Sequence, residues 1–547
     1  MRKLLYLFAL VAIVCNAQAQ DVKTVIIPTP HEVTYTSGKF ILKNLGNITI
    51  ENEKDEELLR LAEMVKDSLT FNEGKKGNIL LRLSKSAKES GSYQVNISKK
   101  NILIEGADYR GVFYGIQSFM QLADQAKDGK LACQNIKDAP GFEWRGLHID
   151  VARTFYPEAQ MKKILRMMAY YKLNTLHWHL TDDQGWRIQS KKYPKLHETG
   201  SFGGPYSVIG GQWLGEGNGQ GNGMFYKRKV IKRILKYAKS LYIDVVPEID
   251  MPAHAAAFLA AFPELKCTSK DTLPNTYKGV NGLTFNYHNK KTTGLKQYQW
   301  DASREVCIGK EATFEVLYNV FDEVMDLFPS KYIHIGGDEA YKHGWQKCAH
   351  CQRRMKEEGL EDVKKLQSYF IKRMEKHIIA KGKKMIGWNE ILQGGINEST
   401  TVMFWNGHKH DEEIIHSALE NGNDMIMTPS SYLYFDNVYA RRSEKDVYKY
   451  NPMQYVPEKY EDKILGMQGC VWGEYGRLDS GGQVRQDAME NFERMIFPRL
   501  LPLAELAWNK KKKVEDKEFF EKVEKHVEIL KGKKNISIGE VKMTPWW

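Results

Sequence analysis

The sharpest chemistry in the sequence lies at Asp338-Glu339, two adjacent carboxylates that follow Ile333-His334-Ile335-Gly336-Gly337. Two ionised carboxylates on neighbouring residues repel, so one is expected to stay protonated near neutral pH through its neighbour and through loss of solvent. The two glycines allow backbone conformations and close approaches denied to bulkier residues. A plainer reading makes the pair the first turn of a helix, where acidic side chains favour the dipole. Other residues able to react or to grip a ligand recur in the same setting, each just after or at the end of a short apolar run. In order they are Arg153; His177, His179, Asp182 and Asp183; Glu248, Asp250 and His254; Trp388 and Glu390; Trp405; Tyr434 and Asp436; Trp472 and Glu474. Carboxylates and arginine suit sugar hydroxyls, and indole suits the apolar C–H face of a pyranose. Taken singly, Trp388 or Trp405 reads as packing and Asp250 or Glu390 as a loop cap or ion pair. No nucleophile elbow, Ser-His-Asp order or phosphate-cradling glycine loop accompanies them.

The elements that must position these residues are eight apolar runs: Gly146 to Val151, Thr175 to Leu180, Ile243 to Pro247, Tyr332 to Gly336, Lys384 to Gly387, Val402 to Phe404, Met425 to Met427 and Ile464 to Gln468. Helical spacing of apolar residues separates several of them, at Pro157 to Lys172, Tyr226 to Leu241, Glu311 to Phe328, Val363 to Ala380 and Asp411 to Glu420. Strand and helix in alternation require crossovers and a parallel sheet, and eight such strands suit a closed (β/α)8 barrel, whose strand C-termini meet at one mouth. The runner-up, an open doubly wound sheet, wants a glycine-rich phosphate loop after its first strand, and His148-Ile-Asp-Val-Ala-Arg153 is not one. Two connections are long, Gln189 to Phe225 with its Gly-rich tract 210–223, and Met251 to Lys310, and loops of that size are usually functional. Before the barrel, Val25 to Ile27, Asn78 to Leu83, Tyr93 to Ile97 and Ile102 to Gly106 read as strands and Arg110 to Ala123 as a helix, giving a small α+β domain. The expected division is residues 1–19 as a signal peptide, 20–140 as the α+β domain, 141–510 as the catalytic barrel, and 511–547 as a helical tail packed on the outside.

A chain of 547 residues exceeds what one hydrophobic core sustains. With 42% hydrophobic and 27% charged residues it is neither disordered nor a disulfide-dense miniature scaffold. The formal charge of +12 is spread as lysines over amphipathic helices without a basic block, which reads as solvated surface and gives no nucleic-acid partner. Arg2 and Lys3, the apolar stretch Leu4 to Val14 and Ala17-Gln18-Ala19 form a secretory signal, too short for a comfortable membrane span. Its removal leaves +10 (12 − 2) and a periplasmic or extracellular protein; Cys15 suggests a lipid anchor, but Val14 before it is bulkier than such a site prefers. Six further cysteines remain, among them Cys348-x-x-Cys351. That pair lacks a second pair at matching spacing, and in an oxidising compartment a local disulfide is at least as apt as a metal.

The runs Arg145-Gly-Leu-His-Ile-Asp-Val-Ala-Arg153, Lys172-Leu-Asn-Thr-Leu-His-Trp-His-Leu-Thr-Asp-Asp-Gln-Gly-Trp-Arg187, Pro247-Glu-Ile-Asp-Met-Pro-Ala-His254 and His334-Ile-Gly-Gly-Asp-Glu339 resemble the signatures of glycoside hydrolase family 20, the β-N-acetylhexosaminidases. Trp388-Asn-Glu390, Trp472-Gly-Glu474 and Pro498-Arg-Leu-Leu-Pro-Leu-Ala-Glu-Leu-Ala-Trp508 extend the likeness over about residues 141–510. The resemblance implies an exo-acting, retaining hydrolase of terminal β-linked GlcNAc or GalNAc that uses the substrate's own acetamido group as nucleophile, a recognised exception to the two-carboxylate scheme. It places Glu339 as general acid/base, Asp338 on the acetamido N–H and Tyr434 on the acetamido oxygen. Arg153 and Glu474 would grip outer hydroxyls, and Trp388, Trp405 and Trp472 would wall the sugar pocket. Asp182, His179 and His254 would form the supporting polar network, and Asp436 would be the carboxylate beside Tyr434. The implied partner is a glycan ending in an N-acetylhexosamine, with no metal and no organic cofactor required. Ala253 and Asn389 stand where many relatives have Gly and Asp without removing a catalytic group, and the 210–223 tract is less family-like. Two other readings are an endo-acting chitinase-type barrel, which lacks its Asp-x-x-Asp-x-Asp-x-Glu strand end here, and a sugar-binding barrel without catalysis.

Overall fold

The computed structural model describes residues 25–183, 185–202, 208–209, 212–213, 224–267, 305–407, 410–437, 439, 441–473, 488–511 and 514–539. The expected signal peptide, Cys15, Glu474 and nearly all of the 210–223 tract lie outside them. The chain divides into two compact units, one running to Pro140 and regaining the chain at Lys513–Lys534, the other built on Gly141–Lys512.

The first unit is a six-stranded mixed sheet in the order Glu32–Ile41, Lys130–Asp138, Tyr93–Ile97, Asn101–Gly106, Gly77–Leu83, Leu45–Ile50. Tyr93–Ile97 alternates buried and half-buried residues, the period-two pattern of a strand with one covered face. Helix Tyr109–Gln125 begins where the Asp108 carboxylate accepts the Gly111 N–H at 2.7 Å. Val25 to Ile27 is a correction: it is not a strand. Its backbone is satisfied by side chains instead, since Gln121 both accepts the Ile27 N–H (3.0 Å) and donates to the Ile27 carbonyl (2.7 Å), and Gln125 donates to Val25 (2.6 Å). The final helix, Asp516–Gly532, is not a separate tail; it belongs to this first unit.

The second unit is a closed parallel barrel of eight strands: Trp144–Asp150, Thr175–His179, Asp244–Glu248, Tyr332–His334, Lys384–Trp388, Thr401–Phe404, Met425–Met427 and Ile464–Val471. Trp144, Val246, Tyr332, Ile386, Trp388, Met403, Ile426 and Cys470 form a buried cluster contributed by seven of the strands, so the barrel encloses a packed core. Helices Glu158–Tyr170, Arg228–Ser240, Glu311–Leu327, Val363–Ala380 and Asp411–Glu420 occupy the expected crossovers. The fifth crossover carries only the 3-10 turn Asn389–Leu392. Register decides what meets at the mouth. Asp150 pairs with His179, His179 with Glu248, and Glu248 with His334, so the last residues of four adjacent strands share one level.

Candidate active site

Glu248 is fully buried at the centre of this level, and imidazoles surround it. His179 Nδ1 donates to it at 2.6 Å, His177 Nε2 and His334 Nδ1 approach at 3.0 Å each, and the Trp388 indole N–H donates at 2.8 Å. Burial alone would raise its pKa, but the charge of His179 and the neighbouring imidazoles hold it well below the usual carboxylate range. Burial would likewise discharge His179, yet Glu248 on one ring nitrogen and Asp182 on the other (2.8 Å) raise its pKa well above the ordinary value. His179 is therefore an imidazolium clamped between two carboxylates. Burial, helped by the neighbouring imidazoles and only partly opposed by Glu248, drops the His148 pKa well below the ordinary value and takes His177 down to about 4.

The network continues outward. Asp182 accepts from Arg153 at 2.7 Å and faces His254 Nδ1 at 3.1 Å, and the pull of these partners outweighs its burial and lowers its pKa well below the ordinary value. Asp183, beside it, lies 3.5 Å from His254 Nδ1 and accepts the Ala256 N–H, which fixes the loop that carries the imidazole. The other nitrogen of His254 reaches both carboxylates of the adjacent pair, Glu339 at 3.2 Å and Asp338 at 3.6 Å. Both partners of the closer contact, His254 (φ +50°) and Glu339 (φ +45°), hold left-handed backbone, a strained state found where function over-determines the geometry.

Asp338 and Glu339 lie on a loop between the strand ending at His334 and the short helix starting at His343, so the helix-start reading is set aside. Gly336 (φ +77°) is required there: a Cβ would fall 1.7 Å from Asp250 Oδ1. The two carboxylates differ in exposure, the Asp338 side chain being 12% exposed and that of Glu339 44%. Burial, against the pull of His254 and with the push of Glu339, raises the Asp338 pKa. Burial and Asp338 raise Asp250 well above its ordinary value, and together they push Glu390 up to about 8. Carboxyls in this mouth thus separate into paired, ionised groups (Asp182, Glu248) and raised ones (Asp250, Asp338, Glu390).

Aromatic walls complete the mouth. Trp405 and Tyr434 lie face to face with centroids 6.2 Å apart and planes 22° apart, and Trp472 stands 6.0 Å from Tyr434. The Trp405 indole N–H is held by Glu390 at 2.8 Å, and the Arg153 guanidinium sits 5.2 Å over the Trp472 ring. Trp388 is only 1% exposed and lies 5.8 Å from Trp472, which makes it a floor beneath the pocket more than an open wall. Tyr434 is positioned by a parallel bridge to Cys470 on the last strand, and burial raises its phenol pKa well above the ordinary value. Asp436 is buried two residues further on. Asp150 organises Arg153: it accepts the Arg153 backbone N–H (3.1 Å), faces its guanidinium (3.3 Å) and accepts the Gly473 N–H (2.9 Å).

In the sequence Glu248, His177 and Asp250 stand out only as strand-end residues, and His148 and His334 carry no signal of their own. The spacing His177-x-His179, two inward positions on one strand, was the available signal for a buried imidazole cluster. No spacing in the sequence gives Cys348 and Cys351 partners. The structure supplies them from far along the chain, at Cys267 and Cys307.

A closed parallel barrel with a mouth of paired and raised carboxyls, walled by indoles, defines a barrel of the glycoside hydrolase class. Residues 142–511 match the catalytic domain of glycosyl hydrolase family 20 and residues 23–139 match domain 2 of the same family, so the chain belongs to that family. It is 35% identical to a beta-hexosaminidase of Porphyromonas gingivalis, the match covering 88% of this chain and 60% of that protein, and 30% identical to a beta-hexosaminidase of Vibrio furnissii, covering 89% and 77%. Among solved structures, a β-N-acetylhexosaminidase of Bacteroides fragilis superposes with a TM-score of 0.75 at 28% identity over 94% of this chain and 97% of that one. An exo-β-N-acetylglucosaminidase of Vibrio harveyi, solved with N-acetylglucosamine, gives 0.76 at 26% identity, covering 93% and 77%. The chain spans about 60% of the length of the Porphyromonas relative. Among the described residues no helix is long and apolar enough to cross a membrane.

Proposed function

We propose that the protein is an exo-acting, retaining β-N-acetylhexosaminidase that releases terminal β-linked GlcNAc or GalNAc by substrate-assisted catalysis. The observation that carries this reading is the convergence of Asp338 and Glu339 on one nitrogen of His254. A two-carboxylate retaining mechanism needs an acid and a nucleophile on opposite sides of the scissile bond, about 5–5.5 Å apart. Adjacent residues sharing one imidazole are badly placed to straddle a sugar. They are well placed to act together if the nucleophile is the acetamido carbonyl oxygen, already tethered near C1, so that attack is intramolecular. Asp338, the deeper carboxyl, acts in its ionised form, which the pull of His254 favours against its burial; it accepts the acetamido N–H and stabilises positive charge as the oxazolinium ring closes. Glu339, open to solvent where the leaving group departs, gives its proton to the glycosidic oxygen as the C1–O bond breaks. It then takes a proton from the water that reopens the ring at C1, which restores both the acetamido group and the acid. Tyr434 donates to the acetamido oxygen, and Arg153, with Glu474, holds the outer hydroxyls. The Vibrio harveyi relative solved with N-acetylglucosamine supports the choice of sugar. The signal-like pattern of Arg2, Lys3, the apolar stretch Leu4 to Val14 and Ala17-Gln18-Ala19 supports an exported enzyme.

Glu339→Gln is expected to lower kcat on natural glycosides by at least about 10²-fold and to spare activated aryl glycosides, whose leaving groups need less protonation. Equal loss on both would remove Glu339 from the acid role. Asp338→Asn should fall on acetamido sugars, and turnover of 2-hydroxy glucosides by the unaltered protein at a comparable rate would overturn acetamido participation.

A further inference from the structure

Cys267, Cys307 and the close pair Cys348 and Cys351 meet in one cluster, none of them among the residues assigned to the sugar chemistry. Cys267 and Cys307 are brought together by an antiparallel bridge between Lys266 and Val306 and by the Cys307 N–H donating to the Leu265 carbonyl at 2.8 Å. Cys348 stands at the start of helix Ala349–Glu357, and Cys351 is buried in its first turn. The two pairs close on each other because residue 309 is glycine: a Cβ there would lie 2.1 Å from the His350 carbonyl carbon and 2.3 Å from the Cys351 nitrogen.

The sulfur geometry is that of a coordination tetrahedron. Sγ–Sγ separations are 3.6 Å for Cys267–Cys351, 3.6 Å for Cys307–Cys348 and 3.7 Å for Cys307–Cys351, and all four atoms lie within 4.8 Å of one another. A disulfide brings two sulfurs to about 2.05 Å. Four thiolates each about 2.3 Å from a zinc ion sit about 3.8 Å apart along the tetrahedron's edges. Two separate disulfides have no reason to hold four sulfurs at mutual near-contact, whereas one ion at their centre does. The spacing leaves room for a single ion and none for bridging sulfide.

We propose that Cys267, Cys307, Cys348 and Cys351 bind one structural zinc ion as a closed tetrathiolate site. Binding releases the four thiol protons, leaves every sulfur as thiolate, and involves no change of oxidation state. With all four positions taken by protein, the ion has no open site for chemistry. Its work is to tie two loops of the barrel mouth together. The Val306 N–H donates to the carbonyl of Pro252, two residues before His254, and Trp345 donates its indole N–H to the Val306 carbonyl at 2.9 Å. Glu305 accepts the backbone N–H of Lys342, three residues after Glu339, at 2.6 Å. The knot therefore fastens the loop carrying His254 to the loop carrying Asp338 and Glu339. It stands independently of the sugar chemistry, and either reading can fail without the other.

The test is metal content of the full chain, purified without chelator or reductant. About one zinc per chain, retained through gel filtration, is expected, with four of the cysteines titrating as thiols once the metal is released. Cys348→Ser and Cys267→Ser should each abolish stoichiometric zinc, while Cys133→Ser should leave it unchanged. Should the serine variants not fold, cobalt exchanged into the unaltered protein decides: thiolate-to-cobalt charge-transfer bands with intense tetrahedral d–d bands support the site. Their absence, zinc undiminished by the serine substitutions, or two disulfides found by mass spectrometry in metal-free protein would each overturn it.

Discussion

At the scale of single residues, the mouth works by giving similar carboxyls different neighbours. Asp182 and Glu248 face cationic or imidazole partners and stay ionised, while Asp250 has no hydrogen-bond partner for either carboxyl oxygen among the described residues and is driven towards its neutral form. Glu390 is the readable member of the raised group, with its pKa pushed up to about 8 by burial and by Asp338. The sign follows from proton counting. Between the ordinary carboxylate range and about pH 8 the folded protein keeps the Glu390 proton and the unfolded chain has lost it, so stability falls as pH rises through that window. Glu390→Gln keeps an acceptor for the Trp405 indole N–H and removes the ionisation. Melting temperatures measured from pH about 5 to about 9 should therefore decline less steeply in the variant. Superimposable slopes would show that Glu390 does not carry this charge.

At the scale of elements, the site depends on register and on one backbone approach. Strand pairing sets Asp150, His179, Glu248 and His334 level, and the next loop must then pass over Asp250 to deliver Asp338 and Glu339. Gly336 makes that pass at φ +77°, with no room for a side-chain carbon. Gly336→Ala combines positive-φ strain of about 1–2 kcal/mol with a backbone shift forced by Asp250. It is expected to cut kcat by more than about tenfold while leaving the far-ultraviolet dichroism of the barrel intact. Unchanged turnover would mean that the loop tolerates displacement. Much of this was legible beforehand. The eight apolar runs, bounded by turn residues and separated by 3.6-period stretches, fall within a few residues of the barrel strands, and Val363–Ala380 matches its helix end to end. What escaped was contact that no spacing encodes. Val25 to Ile27 is apolar like a strand in sequence, but side-chain amides of Gln121 and Gln125 satisfy its backbone. Cys267 and Cys307 are too far apart to read as a metal-binding pair until a loop bridge joins them.

At the scale of the whole molecule, the first unit is assembled from both ends of the chain. Helix Asp516–Gly532 buries Phe519, Val523, Ile529 and Leu530 and returns to residues near position 25: Lys522 donates to the Thr29 hydroxyl at 3.0 Å, and His526 Nε2 donates to the Val25 carbonyl at 2.9 Å. Lys534 adds an ion pair with Asp124 at 2.6 Å. Each large apolar side chain buried is worth roughly 1.5–3 kcal/mol, so four of them rival the 5–15 kcal/mol that holds a typical domain folded. A chain ending at Lys511 should consequently lose the cooperative unfolding of its first 140 residues in calorimetry and yield them rapidly to protease, with the barrel transition retained. A second signature comes from His526, which burial takes down to about 4. Below its ordinary pKa the unfolded chain takes up a proton that the folded imidazole refuses, so the first unit should weaken as pH falls from about 6.5 towards about 4. His526→Gln, which keeps a donor for Val25, should remove part of that acid sensitivity. Protease resistance of residues 25–140 unaffected by the truncation would mean that the sheet with helices Glu56–Lys66 and Tyr109–Gln125 suffices, and that the returning helix is an ornament on a unit already complete.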